Sequence, residues 1–208
     1  MSTKIKICGL KDIAIAINVC NLGADALGFV FFKKSVRYID FKQAKEIISE
    51  LPCFVQTVGV FVNPSFEEVK SALDCGIDIL QFHGDESINF CKEFYPKVIK
   101  AVRIKDESDI VHFKKYEGVC RAFLIDTYTK DTYGGTGKVA NWNLAKKAIE
   151  AFEKPVILAG GLTPDNVKEA ILKLHPYGVD VSSGVESSLG KKDISLIERF
   201  INAVREIE

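Results

Sequence analysis
The 208-residue chain carries no net charge, contains no C-x-x-C pair, and has no uninterrupted apolar stretch near the roughly 20 residues needed to span a bilayer. Each absence closes a class of function. With 28 basic and 28 acidic residues, a pI near 6.8 and no run of like charge, neither a nucleic-acid footprint nor an anionic-membrane patch is expected. A small neutral or acidic ligand is expected instead. No signal-peptide layout precedes the apolar alternation that begins at Ile5, so the sequence reads as cytoplasmic. The six cysteines are widely scattered, which argues against a disulfide framework or a zinc site and for free thiols. Linkers, low-complexity tracts and domain boundaries are likewise missing, and the length suits one domain over residues 1–208.

The glycine-rich run Gly134-Gly135-Thr136-Gly137-Lys138 fails as a nucleotide loop. Thr132 stands where the first glycine of a Walker A motif belongs, and Val139 follows the lysine. A dinucleotide pattern fails too, because residues 127–133 are polar and form no strand before it. The run reads as a mobile loop over a site.

Eight short apolar, β-rich runs recur along the chain: Lys4 to Cys8, Ala26 to Phe31, Val55 to Val62, Ile79 to His83, Val98 to Ile104, Ala122 to Asp126, Pro155 to Ala159 and Val179 to Ser183. Helical spacing fills the intervals, with stripes such as Ala44, Ile47, Ile48, Leu51, then Val167, Ala170, Ile171, Leu174, and last Ile197, Phe200, Ile201, Val204. Asp40 with Gln43 and Ser65 with Glu68 have capping-box spacing, while Thr163-Pro164 reads as N-cap and first helical residue. Gly23 and Gly76 read as helix stops. The first interval is ambiguous in itself, since Ile13, Ile15, Ile17 and Val19 alternate while Ile13, Ala16, Ile17 and Cys20 fit a helical face; its neighbours decide for helix. Continuous apolar strands separated by amphipathic helices mean a parallel sheet covered by helices. Eight such units near minimal length predict an α/β fold, a single (β/α)8 TIM barrel, with a doubly wound open sheet as the alternative.

In such barrels the active site lies at the C-terminal face. There the runs end in Cys8-Gly9, His83-Gly84, Asp126, Gly160-Gly161 and Ser182-Ser183-Gly184. The loops after strands seven and eight can aim backbone N–H groups from Gly160, Gly161, Ser183 and Gly184 at one phosphate, although glycines there also serve tight turns. Asp126 closes the apolar run Phe123-Leu124-Ile125 and must be solvated, paired or functional, because burying a lone carboxylate is costly. Taken singly, Cys8 reads as a buried inert thiol more readily than as a catalyst, and His83 fits a core, ligand-binding or loop-fixing role equally.

Together these segments resemble the phosphoribosylanthranilate isomerase family of tryptophan biosynthesis. The likeness is carried by Lys6-Ile7-Cys8-Gly9-Leu10, Gly59-Val60-Phe61, Gln81-Phe82-His83-Gly84, Asp126 with the later Gly134 to Lys138 run, Leu158-Ala159-Gly160-Gly161-Leu162, and Gly178 to Glu186. It implies an Amadori rearrangement of a phosphoribosyl aromatic amine without metal or organic cofactor, by a monomer or homodimer whose partner is a small phosphosugar. By the same resemblance Asp126 is the general acid, Cys8 the general base, and Arg37 the group that binds the anthranilate carboxylate. An unperturbed aspartate near 4 and thiol near 8.5 both need tuning for those roles. Lys6 shares the inward face with Cys8 and is expected to lower the thiol's pKa. Asp180, inward by the same parity, either neutralises Lys6 or contacts substrate. The chain departs from the family pattern at Val36, where proline is common, and at Phe82, where leucine is. Two rivals are a histidine-pathway barrel isomerase, which usually has aspartate at the position of Cys8, and a non-catalytic phosphoribosyl binder.

Overall fold
The computed structural model describes residues 2–126 and 142–207. Eight parallel strands, β1 (Lys4–Cys8), β2 (Ala26–Val30), β3 (Gln56–Phe61), β4 (Ile79–Phe82), β5 (Val98–Val102), β6 (Ala122–Asp126), β7 (Val156–Ala159) and β8 (Gly178–Val181), alternate with helices. The helices are α1 (Ile13–Asn21), α2 (Phe41–Ile48), α3 (Phe66–Asp74), α4 (Ile88–Glu93), α5 (Glu107–Lys114), α6 (Trp142–Ala151), α7 (Val167–Leu174) and α8 (Ile194–Arg205). Each strand pairs with the next, and β1 pairs with β8 from Lys4 opposite Gly178 to Ile7 opposite Val181. The sheet is therefore closed, and the open doubly wound alternative is excluded.

The strands read as unbroken apolar runs because both their faces are buried. Outward residues such as Ile5, Leu27, Phe29, Leu80, Phe123 and Val179 pack under the helices. Inward residues Ile99, Ala101, Ala122, Leu124, Ile157 and Ala159 fill the barrel itself. A small upper layer of Cys8, Val30 and Val60 floors the C-terminal mouth. Local signals hold as expected where they were strongest. The Asp40 carboxylate accepts from the Gln43 N–H, Ser65 and Glu68 form a reciprocal capping box, and Gly23 and Gly76 close helices with φ of +94° and +101°.

Three local expectations need correction. Helix α7 starts at Val167 and not at Thr163-Pro164, because the Asn166 side chain turns back to accept from the Thr163 N–H and ties residues 163–166 into a separate turn. The buried face of α1 is centred on Ala16 and Val19, which leaves Ile13 41% exposed. Strand β8 ends at Val181, not Ser183. Ser182 leaves the extended region (φ −129°, ψ −79°), its Oγ donates to the Cys8 carbonyl and its own carbonyl accepts from Lys192. A 3-10 turn over Ser183–Val185 follows, then an antiparallel hairpin of β9 (Glu186–Ser188) and β10 (Lys191–Lys192) before α8. The run from Gly134 to Lys138, expected as a loop over the site, lies outside the described residues. Among the described residues no helix is long and apolar enough to cross a membrane.

Candidate active site
A cavity of about 460 Å³ opens at the C-terminal ends of the strands, within the size range of small-molecule sites. Cys8, Arg37, His83, Asp126, Gly160, Gly161, Asp180 and Ser183 all line it. Residues far apart in sequence thus converge because each lies within the last two positions of a strand of one closed barrel or follows one. Gly184 is the exception. A Cβ there would lie 1.8 Å from the Leu162 carbonyl oxygen, so this glycine lets the loops after β7 and β8 touch and does not itself form the wall. Gly161, at φ +69°, has nothing within 4 Å of where its Cβ would sit, and its backbone borders open space.

At the floor of the site, Lys6 Nζ donates to Asp180 Oδ1 at 3.0 Å, with both side chains buried. Of the two roles open to Asp180, the ion pair is the one formed in the structure. Burial lowers the lysine's pKa, but Asp180 and Cys8 more than offset it, and the net shift is upward. For Cys8 the balance differs from expectation. Burial pushes the thiol up, and although Lys6 draws it down as foreseen, Asp180 opposes that pull and the net direction is upward. Gly28 makes room for both groups, since a Cβ on it would sit 2.8 Å from Cys8 Sγ and 3.1 Å from Lys6 Nζ.

Across the cavity, His83 Nε2 lies 3.4 Å from Asp126 Oδ2. That nitrogen and Gln81 Oε1 are buried polar atoms with no hydrogen-bond partner among the described residues. The turn carrying His83 is fixed from behind. Lys100, in the middle of β5, forms a fully buried ion pair with Glu86 at 3.0 Å and donates to the Gly84 carbonyl at 2.7 Å. Glu86 in turn accepts from the backbone N–H groups of Gly84 and Asn63. Sequence reading missed this pair, although a lysine inside the apolar run Val98 to Val102 was a signal that a buried partner must exist.

Arg37 is not alone. Its Nε and Nη2 donate to the two oxygens of Glu186, each at 2.7 Å, and Glu186 also accepts from Lys192 Nζ and the Gly190 N–H. Those donors hold the Glu186 carboxyl down at about 2 against the cost of burial. No local pattern in the sequence marks Glu186 or Lys192 as part of a site, though Glu186 closes the Ser-Ser-Gly-Val-Glu segment.

Residues 5–203 match the family model described as N-(5'-phosphoribosyl)anthranilate (PRA) isomerase. A curated relative of that name from Pelobacter propionicus is 46% identical over 204 residues, covering 98% of this chain and 96% of its own. The solved phosphoribosyl anthranilate isomerase from Thermotoga maritima superposes with a TM-score of 0.89 at 41% identity, over 98% of this chain and 99% of its own. A second solved structure, at TM-score 0.86 and 38% identity over the same shares, holds reduced 1-(o-carboxyphenylamino)-1-deoxyribulose 5-phosphate.

Proposed function
Because the chain belongs to the N-(5'-phosphoribosyl)anthranilate isomerase family and is an isomerase of tryptophan biosynthesis, we propose that it uses Asp126 as general acid and Cys8 as general base in its Amadori rearrangement. Asp126 gives a proton to the furanose ring oxygen as the C1–O bond breaks, and the ring opens to a protonated Schiff base. Cys8 then removes the C2 proton, and the electron pair moves to give an enolamine. Protonation at C1 and loss of the hydroxyl proton yield the ketone. No step calls for a metal or an organic cofactor. The observation that carries this reading is that a thiol from β1 and a carboxylate from β6 open onto one cavity. His83, within 3.4 Å of the carboxylate, sits where it can hold Asp126 and the sugar in register.

The ligand is a small phosphosugar. We place its phosphate against Gly160, Gly161 and Ser183, where the open space beside Gly161 lets an anion approach the backbone. Arg37 faces the anthranilate carboxylate. Removing one partner of a buried hydrogen-bonded charge pair costs about 2–5 kcal/mol, so Arg37→Ala should weaken the anthranilate-bearing product strongly. Lysine should rescue only partly, because it lacks the planar fork. A product analogue with aniline in place of anthranilate should lose little. Calorimetry on wild type and Arg37→Ala with both ligands gives the coupling energy, and a value of zero removes Arg37 from carboxylate recognition.

The assembly we infer is a homodimer through the opposite mouth of the barrel. There a second cavity of about 460 Å³, with Ile79, Ile99 and Ile157 among its lining, is bordered by Phe54. Phe54 is 95% exposed. Knob and hole on one face are self-complementary, so a twofold axis lets each copy fill the other. Sedimentation should show a dimer that Phe54→Asp converts to monomer with its barrel intact. A wild-type monomer at all concentrations overturns the inference.

A further inference from the structure
The hairpin of β9 and β10 contributes no residue to the lining of the active-site cavity, yet it grips one that does. Each Glu186 oxygen receives two donors: Oε1 takes Arg37 Nε and Lys192 Nζ, and Oε2 takes Arg37 Nη2 and the Gly190 N–H. The carboxylate is saturated, so it has no capacity left for proton transfer or for substrate. Lys192 is itself buried and spends its remaining donors on the carbonyl and Oγ of Ser182 at 2.9 and 3.3 Å. Ser182 Oγ donates to the Cys8 carbonyl at 3.0 Å. One chain of contacts therefore runs from Arg37 through Glu186, Lys192 and Ser182 to the backbone of the base.

A guanidinium offers five N–H donors in a plane. Glu186 takes the side-on edge, formed by Nε and one hydrogen of Nη2. Among the described residues the end-on edge, formed by Nη1 and the other Nη2 hydrogen, meets no acceptor, and Arg37 lines the cavity while Glu186 does not. The aliphatic stem is seated as closely as the head: a Cβ on Gly9 would meet Arg37 Cδ at 2.7 Å, so the stem passes directly over the glycine that follows Cys8. Arg37 is thus held at stem and head, with two of its five donors committed to Glu186.

We propose that Glu186, seated by Lys192, is a specificity-determining positioning residue: it holds Arg37 by its side-on edge so that the end-on edge receives the aromatic carboxylate of the substrate. This rests on the reading that Arg37 faces that carboxylate. Glu186 also subtracts one charge from Arg37 and Lys192, so that this three-residue cluster carries a single net positive charge, which matches one carboxylate.

Steady-state kinetics on the full chain test it. Glu186→Gln keeps the shape, loses the charge and releases the fork, and should raise KM for the anthranilate substrate about ten-fold, the scale of a hydrogen bond to a charged group, with kcat within about three-fold. Binding of the aniline product analogue should not change. Glu186→Asp should recover part of the lost affinity. Because Lys192 would be left buried without its anion, Glu186→Gln with Lys192→Met is the second variant, and it should show the same KM defect in a chain without the orphaned charge. In an Arg37→Ala background, Glu186→Gln should have no further effect on KM. An additive effect in that background, or a fall in kcat at constant KM, overturns the proposal. If Arg37→Ala leaves KM unchanged, it is the carboxylate reading that fails. If Arg37→Ala raises KM and neither Glu186 variant does, the positioning role alone fails.

Discussion
Replacing Cys8 by alanine should lower kcat at least about 10²-fold, the lower range for a positioned acid or base, while calorimetry still finds the product bound. The site gives the thiol a specific burden. It is buried, its pKa is shifted upward by that burial, and the ammonium groups of Lys6 and Lys192 pull it back down without cancelling the shift. The thiolate is the base, so a raised pKa means that little of it exists at neutral pH. The sign follows: wild-type kcat/KM should climb as pH rises toward and past the ordinary thiol value of roughly 8.5, and the climb should vanish in the alanine variant. Serine should not restore it, because its hydroxyl does not ionise in this range. Full activity in Cys8→Ala would remove the residue from the mechanism.

Asp126→Asn should stop ring opening, with kcat again down at least about 10²-fold, since an amide keeps the shape of the carboxylate but is not an acid of comparable strength. The β6 backbone is paired to β5 and β7 on both sides, with Asp126 opposite Ala159, so the substitution should leave the strand in place. The diagnostic is a substrate that has already passed the blocked step. A pre-formed open-chain Schiff base should be turned over by Asp126→Asn much faster than the cyclic substrate, whereas Cys8→Ala should process neither. Equal defects on both substrates would move Asp126 to another role, and an unchanged rate on the cyclic substrate would falsify the acid assignment.

The barrel was legible because its information is local and repeated. Strands buried on both faces show as apolar runs, the helices between them show one stripe each, and caps such as Ser65 with Glu68 need only four residues to be recognised. Strand ends were legible for the same reason: a polar residue that closes an apolar run, such as Asp126 or Cys8, lies where the barrel opens. What could not be read was whatever depends on a distant partner. Ser182 and Ser183 continue the pattern of β8, and only the Lys192 ammonium on a later hairpin shows why the ladder ends before them. The expectation that Lys6 would lower the thiol's pKa was right about the pairwise force and wrong about its sum, because the depth of burial is a property of the whole barrel. Arg37 and Glu186 are 149 positions apart, and no spacing rule connects them.

The ion pair behind His83 has a consequence for how sequences of this kind can drift. Lys100 and Glu86 are sealed from solvent, at 1% and 2% side-chain exposure, and each is the other's only ionic partner among the described residues. Losing either one strands a charge in the interior, a loss that typically costs about 3–5 kcal/mol, while exchanging both for apolar groups of similar volume is often neutral. Marginally stable proteins do not readily tolerate the intermediate. The two positions are therefore expected to be replaced jointly or retained jointly, and a chain without the pair must find another way to tether the Gly84 carbonyl and the two backbone N–H groups that the pair now holds.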